Sequence, residues 1–317
     1  MIRTRASIDI GTHTARLLIA SGPEQSGNIR TLVRKREYIR LAEHFGYSKE
    51  RIIQPEAIDR TLNVLQTFLQ DIKMFDVRSI HAIATGFVRD AENRDEFLGR
   101  IYEETGIQVK LVTGDEEALL TARGTLHTLD SQSRPILIFD LGGGSTEFFY
   151  AGKDTRAVKS IPLGSMILTE QYLTSDPPED NQLHSLSRHI DQTLEESRED
   201  ILLKGAPSLL VGTGGTVITL AMMLNGIEPE DITEEHINGL VLGKEQIERL
   251  FSKMKRLRFD ARLRLTGLDR GRAGIILAGT LVVISILRFS KALQLTACMS
   301  DLLEGVLIEN YKGESNE

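Results

Sequence analysis

Two stretches of the chain share one pattern of apolar and polar positions. Setting Asp9 on Asp140 aligns "IDIGTHTARLLIA" with "FDLGGGSTEFFYA": an apolar residue, Asp, an apolar residue, Gly, two turn positions, a hydroxyl residue and a second apolar run. Each copy predicts a β-hairpin whose aspartate ends the first strand and whose tight turn carries Gly and Ser or Thr. A pattern this short also arises by coincidence; read as a repeat, it predicts two related domains that face one another.

Between the hairpins the periodicity alternates. Pro55 stands at a first helical position, with Ile58, Leu62, Leu65, Leu69 and Ile72 along one stripe. "SIHAIAT" and "QVKLVT" read as short buried strands, and "DEEALLTARGTLHTL" as a helix with carboxylates in its first turn. After the second hairpin, Leu183, Leu186, Ile190 and Leu194 mark an amphipathic helix. "SLLVGTGGTVITLAMM" gives a strand, a glycine turn and a helix, and "AGIILAGTLVVISIL" a helix buried on most faces. The order predicts an α/β chain with two βαβ-rich halves. No low-complexity linker separates them, so the halves are expected to share a cleft.

Composition narrows the class. A chain of 317 residues with 41% apolar content has room for roughly two domains. A single cysteine, Cys298, excludes an intramolecular disulfide framework and a thiolate zinc cluster, and points to a reducing cytoplasmic setting. The N-terminus lacks a hydrophobic signal core and the longest apolar stretch falls short of a membrane span, so neither export nor a membrane is expected.

Three turns carry the candidate chemistry. "GTHT", "LGGGST" and "GTGGT" expose backbone N–H groups with little side-chain cover, as phosphate-binding turns do and as plain tight turns also do. None has the Lys that a Walker pattern needs. Around them stand Asp9, Asp140, Glu147, Glu116 and Glu117. Carboxylates beside a bound phosphate repel it unless a hard cation intervenes, which makes Mg²⁺ the economical expectation. A carboxylate free of metal can deprotonate water. Glu116 and Glu117 are equally explained as charges complementing a helix N-terminus.

The ordered motifs "SIDIGTHTARLLIA", "IATGFVRDAENRDEFLGRI", "TGDEEALL", "LIFDLGGGSTEFF", "IPLGSMILTEQYL", "VGTGGTVITL", "GLDRGRAGIILAGTLVV" and "SDLLEGVL" resemble the exopolyphosphatase and guanosine pentaphosphate phosphatase family from Ser7 to Leu307. The resemblance implies two ribonuclease H-like domains of the fold shared by actin, Hsp70 and sugar kinases around a central cleft. It puts domain one at about 1–122, joined by a final helix at about 300–317, and domain two at 123–299. It implies Mg²⁺-dependent hydrolysis of terminal phosphate from inorganic polyphosphate or, as the alternative, from pppGpp; a binding protein with little turnover is a third reading. Homodimerisation is plausible by resemblance alone, and the helical C-terminal extension of longer members is not expected in this sequence.

Motif by motif, the resemblance makes Glu117 the catalytic base and brings Asp140 and Glu147 to the metal and attacking water, with Asp9 a further metal ligand. It gives phosphate binding to Thr12, His13, Thr14 and Arg16 in the first turn, to Arg89, to Gly143, Gly144, Ser145 and Thr146, and to Gly214, Gly215 and Thr216. His13 stands where an amide is expected, which would make phosphate affinity sensitive to pH unless the ring merely fills the turn. Ile167, Gly274 and Leu303 replace an Arg, an Asp and an Arg, which bears on the substrate channel more than on the catalytic carboxylates. Finally, "KMKRLRFDARLRLTGLDRGR" holds eight basic and two acidic residues in a chain of net charge −7. It reads either as a steering patch for a long polyanion or as a solvated helical face. Nucleic acid is not expected, since few aromatics interleave with the charges and tryptophan is absent.

Overall fold

The computed structural model describes residues 3–22, 29–43, 51–129, 135–202 and 205–313. Contacts divide the chain into two compact units, one formed by Met1–His127 with Asp301–Glu317 and the other by Thr128–Ser300.

The first unit is built on a five-stranded sheet. Strands β1 (Arg3–Ile10), β2 (Thr14–Gly22) and β3 (Arg30–Tyr38) form a meander. Helix α1 (Pro55–Met74) leads to β4 (Ser79–Ala84), α2 (Gly86–Asp90), α3 (Arg94–Thr105), β5 (Val109–Leu111) and α4 (Gly114–Leu129). The sheet order is β3-β2-β1-β4-β5, with β4 and β5 parallel to β1. Neighbouring residues of β2 are buried whichever face they point to, Leu17 and Ile19 as much as Leu18 and Ala20, so both faces of this sheet are covered. Pro55 does occupy the first turn of α1, and Phe68 takes the buried position of its stripe while Leu69 is half-buried.

The second unit repeats this plan. Its strands are β6 (Ile136–Leu141), β7 (Thr146–Ala151), β8 (Arg156–Ile161), β9 (Leu209–Thr213), β10 (Val241–Gly243) and β11 (Gln294–Ala297). The order β10-β11-β9-β6-β7-β8 is the first sheet's order with one further edge strand. The helices of this unit are α5 (Ser165–Tyr172), α6 (Asp180–Glu196), α7 (Arg198–Ile201), α8 (Gly215–Asn225), α9 (Glu234–Ile237), α10 (Lys244–Met254), α11 (Phe259–Arg262) and α12 (Ile276–Phe289). All of α12 but Arg288 is buried, so its near-continuous apolar run is a core helix of this unit. Among the described residues no helix is long and apolar enough to cross a membrane.

The last helix, α13 (Leu302–Gly313), belongs to the first unit. Leu303, Leu307 and Tyr311 pack on Leu18 and Ala20, and Ser7 Oγ donates to the Leu303 carbonyl at 3.0 Å. Leu303, where a basic residue was expected, is thus a core side chain. Helices α4 and α13 meet through glycine: a Cβ at Gly124 would strike the Asp301 carbonyl, and one at Gly305 the Leu120 carbonyl. This contact fixes the helix that carries Glu117 against the segment that carries Asp301.

Candidate active site

In the first unit, Asp9 on β1 lies opposite Arg16 on β2. Arg16 Nε donates to Asp9 Oδ2 at 2.9 Å and its Nη1 to Asp301 Oδ2 at 2.5 Å. The guanidinium expected at a phosphate is therefore engaged by two buried carboxylates. Asp9 Oδ1 is buried with no partner among the described residues. Burial pushes the Asp9 carboxyl above the usual carboxylate range, against the lowering influence of Arg16.

The first turn is tightly used by the protein itself. Gly11 N donates to Thr14 O at 3.0 Å, Thr12 Oγ1 accepts from Phe87 N at 3.2 Å, and the His13 carbonyl accepts from the amides of Ile39 and Arg40. The His13 ring is buried edge-on to Tyr38 at 5.1 Å. Arg89, at the end of α2, donates from Nη1 to the Val112 carbonyl at 3.1 Å, immediately before the segment that opens α4.

The two glutamates of that opening separate cleanly. Thr113 N donates to Glu116 Oε2 at 2.8 Å while Glu116 N donates to Thr113 Oγ1 at 3.2 Å, a reciprocal cap. The Thr113 amide holds the Glu116 carboxyl below its ordinary range, with Lys110 adding to the effect. Glu116 is half exposed and spent on helix capping. Glu117 is only 7% exposed. A buried carboxylate has to be compensated by its surroundings, which an arbitrary helix-terminal charge does not.

In the second unit, Asp140 and Glu147 face each other across the β6–β7 rung. Both are buried. Ser145 Oγ and Ser160 Oγ both donate to Glu147 Oε1, at 2.6 and 2.8 Å. Gly142 N donates to Ser145 O at 3.0 Å, closing the same turn as in the first hairpin. The carbonyl of Gly143 accepts from the amides of Met166 and Ile167, which seats the turn on the start of α5. Gly164 has to be glycine there, because a Cβ would enter the backbone of Gly143 and Gly144. Thr146 is buried and donates to the Leu163 carbonyl at 2.6 Å, so its hydroxyl holds the hairpin, while Gly143, Gly144 and Ser145 stay partly accessible.

Strand β9 lays Thr213 beside Asp140 and ends in the turn that starts α8. Gly214 has φ +88°, and a Cβ on it would lie 2.5 Å from the Leu141 carbonyl and 2.6 Å from Asp140 Oδ1. Thr213 Oγ1 and Thr216 Oγ1 are buried with no partner among the described residues. The buried Arg272 guanidinium lies across the position where a Gly215 side chain would be. Thr216 Oγ1 lies against Gly279 of α12, so it is the helix N-terminus at Gly214–Gly215 and the guanidinium across it that form a cradle of donors suited to anionic oxygens.

Sequence reasoning missed Thr213, Ser160, Arg272 and Asp301. Arg272 and Asp301 lie inside motifs that resemble the family, and their position there was the available signal. Ser160 is visible only once β8 is paired with β7. The basic run is not a helical face: only α11 is helical between 255 and 272, and Arg262 and Arg272 are buried. Turns such as that at Gly267, φ +75°, break the helical period.

Among the described residues no group of three or more His, Cys, Asp or Glu side chains is arranged to hold a metal ion by itself. Mg²⁺ usually takes one or two carboxylates and completes its shell with phosphate oxygens and water. In the second unit the hard oxygen donors Asp140 and Glu147 fit a cation that arrives with its anion; in the first unit the buried Oδ1 of Asp9 is another hard donor.

Two ribonuclease H-like units of the actin-like fold, each with a carboxylate at the head of a glycine turn, define a protein that handles phosphate groups. The chain belongs to the Ppx/GppA phosphatase family, whose pattern it matches over residues 18–314. It is 30% identical to exopolyphosphatase 2 of Mycobacterium tuberculosis over 314 residues, 96% of this chain and 97% of that protein. It is 29% identical to the bifunctional 3-dehydroquinate synthase/phosphatase of Fusobacterium nucleatum, covering 98% of this chain but 47% of that relative, so the chain spans about half its length. The Aquifex aeolicus member of the family superposes with a TM-score of 0.81 at 28% identity, over 100% of both chains. An exopolyphosphatase from Cytophaga hutchinsonii superposes with a TM-score of 0.88 at 27% identity, over 98% of each.

Proposed function

We propose that the protein is an exopolyphosphatase that hydrolyses the terminal phosphate of inorganic polyphosphate with the help of Mg²⁺. The observation that carries this reading is the buried, in-register pair Asp140 and Glu147 beside the Gly214–Gly215 turn, where Thr213 adjoins Asp140 and the Arg272 guanidinium crosses the start of α8. Paired carboxylates next to anion-binding donors suit a phosphoryl group attacked by water. Full-length similarity to proteins named exopolyphosphatases supports polyphosphate as the anion.

In the proposed reaction a water oxygen attacks the terminal phosphorus in line with the bridging oxygen. The bond to that oxygen breaks, and the leaving group is the chain shortened by one phosphate. Glu117, whose burial separates it from the capping Glu116, accepts the water's proton. Glu147, braced by Ser145 and Ser160, and Asp140 orient the reacting groups, and the amides of Gly143, Gly144, Gly214 and Gly215 receive phosphate oxygens. Bound Mg²⁺ would be held by Asp140 and Glu147 and would offset phosphate charge. Arg16 acts through Asp9, whose charge it balances, and Arg89 steadies the segment that leads to Glu117.

The test is phosphate release from long-chain polyphosphate and from pppGpp, with Mg²⁺ or EDTA, by the unaltered chain and by Glu117→Gln. Polyphosphate is expected to be cleaved only with Mg²⁺, and Glu117→Gln to lower the rate by about 10²–10⁴-fold. Undiminished turnover in Glu117→Gln, or cleavage of pppGpp with none of polyphosphate, would overturn the assignment.

A further inference from the structure

We infer that the exposed face of residues 258–270 is a docking surface for the body of an inorganic polyphosphate chain whose end lies at the Gly214–Gly215 turn. The inference rests on the exopolyphosphatase reading and adds a substrate-length preference to it.

The segment leaves the turn and returns to it. A Cβ at Gly274 would lie 4.0 Å from the Phe259 ring, so the start of α11 lies beside residues that follow Arg272. Gly267 lies against the backbone of Met222 and Met223 in α8, while Arg272 crosses Gly215 at that helix's first turn. Seven residues of helix separate Gly215 from Met222, about 10 Å at roughly 1.5 Å each. Residues 267–272 therefore run along α8 back to the phosphate cradle. The loop is pinned from below by the buried Arg262, which donates to the carbonyls of Ala273 (3.2 Å) and Leu257 (2.7 Å) and pairs with Asp176 at 2.7 Å.

On the outside of this pinned loop stand Arg258, Arg264 and Arg270, all exposed. Among the described residues none of the three has an acidic partner within ion-pair distance, although ion pairs are frequent elsewhere on the chain. Of the two acids in the loop, Asp269 turns Oδ1 to the Gly271 amide at 2.8 Å, and Asp260 is exposed. Three uncompensated guanidinium groups on a chain of net charge −7 create a local field that favours a polyanion. Phe259 is the one aromatic side chain of the segment, so it offers charge without the stacking platform that single-stranded nucleic acid uses. Polyphosphate, which presents charge alone, is the partner that fits.

The experiment measures binding and KM for long-chain polyphosphate and for tripolyphosphate, using the intact chain with and without Arg264→Glu plus Arg270→Glu. Tripolyphosphate carries a terminal phosphate without the long body. The expected result is that long-chain binding weakens and its KM rises by about tenfold at low salt, with the difference shrinking as salt is added. Tripolyphosphate should be handled equally by both proteins. Arg264→Gln plus Arg270→Gln, with unchanged circular dichroism and melting midpoint, serves if charge reversal impairs folding. Equal long-chain binding by both proteins, or an equal loss for both chain lengths, overturns the inference. Single-stranded RNA bound as tightly as polyphosphate, and lost in the same variant, overturns it in favour of a nucleic-acid surface. Phosphate release by the unaltered chain reads the enzymatic assignment separately: a protein that binds long chains through this loop but releases nothing keeps the surface and loses the exopolyphosphatase.

Discussion

Asp9 and Asp140 stand at the same point of two hairpins closed by the same turn bond, Gly11 to Thr14 and Gly142 to Ser145, each 3.0 Å. Seven residues later the first hairpin answers its aspartate with Arg16, and the second answers with Glu147. In the first, the guanidinium also reaches Asp301, so one cation is shared by two carboxylates within the unit. In the second, two buried carboxylates share a rung, and Ser145 and Ser160 donate to Glu147. Like charges across a rung are unfavourable unless a cation or proton relieves them. One duplicated scaffold thus holds a carboxylate met by a guanidinium in one copy and a carboxylate met by a second carboxylate in the other, and the paired carboxylates are the better candidate for chemistry.

The contrast can be broken from either side. The largest expected effect is on stability: Arg16→Met leaves Asp9 and Asp301 buried without their shared cation and should cost about 3–5 kcal/mol in urea unfolding. An unchanged midpoint would mean the first hairpin is not held by this cluster. In the second hairpin the signs should reverse. Glu147→Gln removes one of two opposing charges, so the melting midpoint should hold or rise while polyphosphate turnover falls by about 10²–10³-fold. A collapse of folding in this variant would make the second hairpin as structural as the first.

Smaller changes sharpen the comparison. Ser160→Ala removes a serine donor to Glu147 and should lower kcat about fivefold, corresponding to a hydrogen bond of about 1 kcal/mol; a change confined to KM would place its effect elsewhere. Smallest is Glu116→Ala, a lost helix cap of about 0.5–1 kcal/mol with turnover retained. Because the Glu116 carboxyl is held below its ordinary range, its contribution is present above the unfolded glutamate value and is lost as pH falls through the folded one. Melting curves of Glu116→Ala and the unaltered chain should therefore converge in acid.

Much of this was legible along the chain. The hairpins at Asp9 and Asp140, the helices from Pro55 and from Gly114, and the glycine turn before α8 follow from periodicity and turn chemistry within some fifteen residues, because their hydrogen bonds are local. Arg262 and Arg272 were not legible, since an arginine reads the same in sequence whether it lies on a solvated face or pins a loop. Nor was the link from Arg16 to Asp301, which are 285 residues apart.

The sequence by itself determined the repeated strand–turn–strand, the kinds of side chain at each turn and the family resemblance they carry. Tertiary structure alone decided which glutamate caps a helix and which is buried, which aspartate meets a guanidinium and which a second carboxylate, and where the basic loop runs. Those outcomes depend on burial and on partners brought in by distant segments, and the free energy of a charge is set by those surroundings more than by its neighbours along the chain.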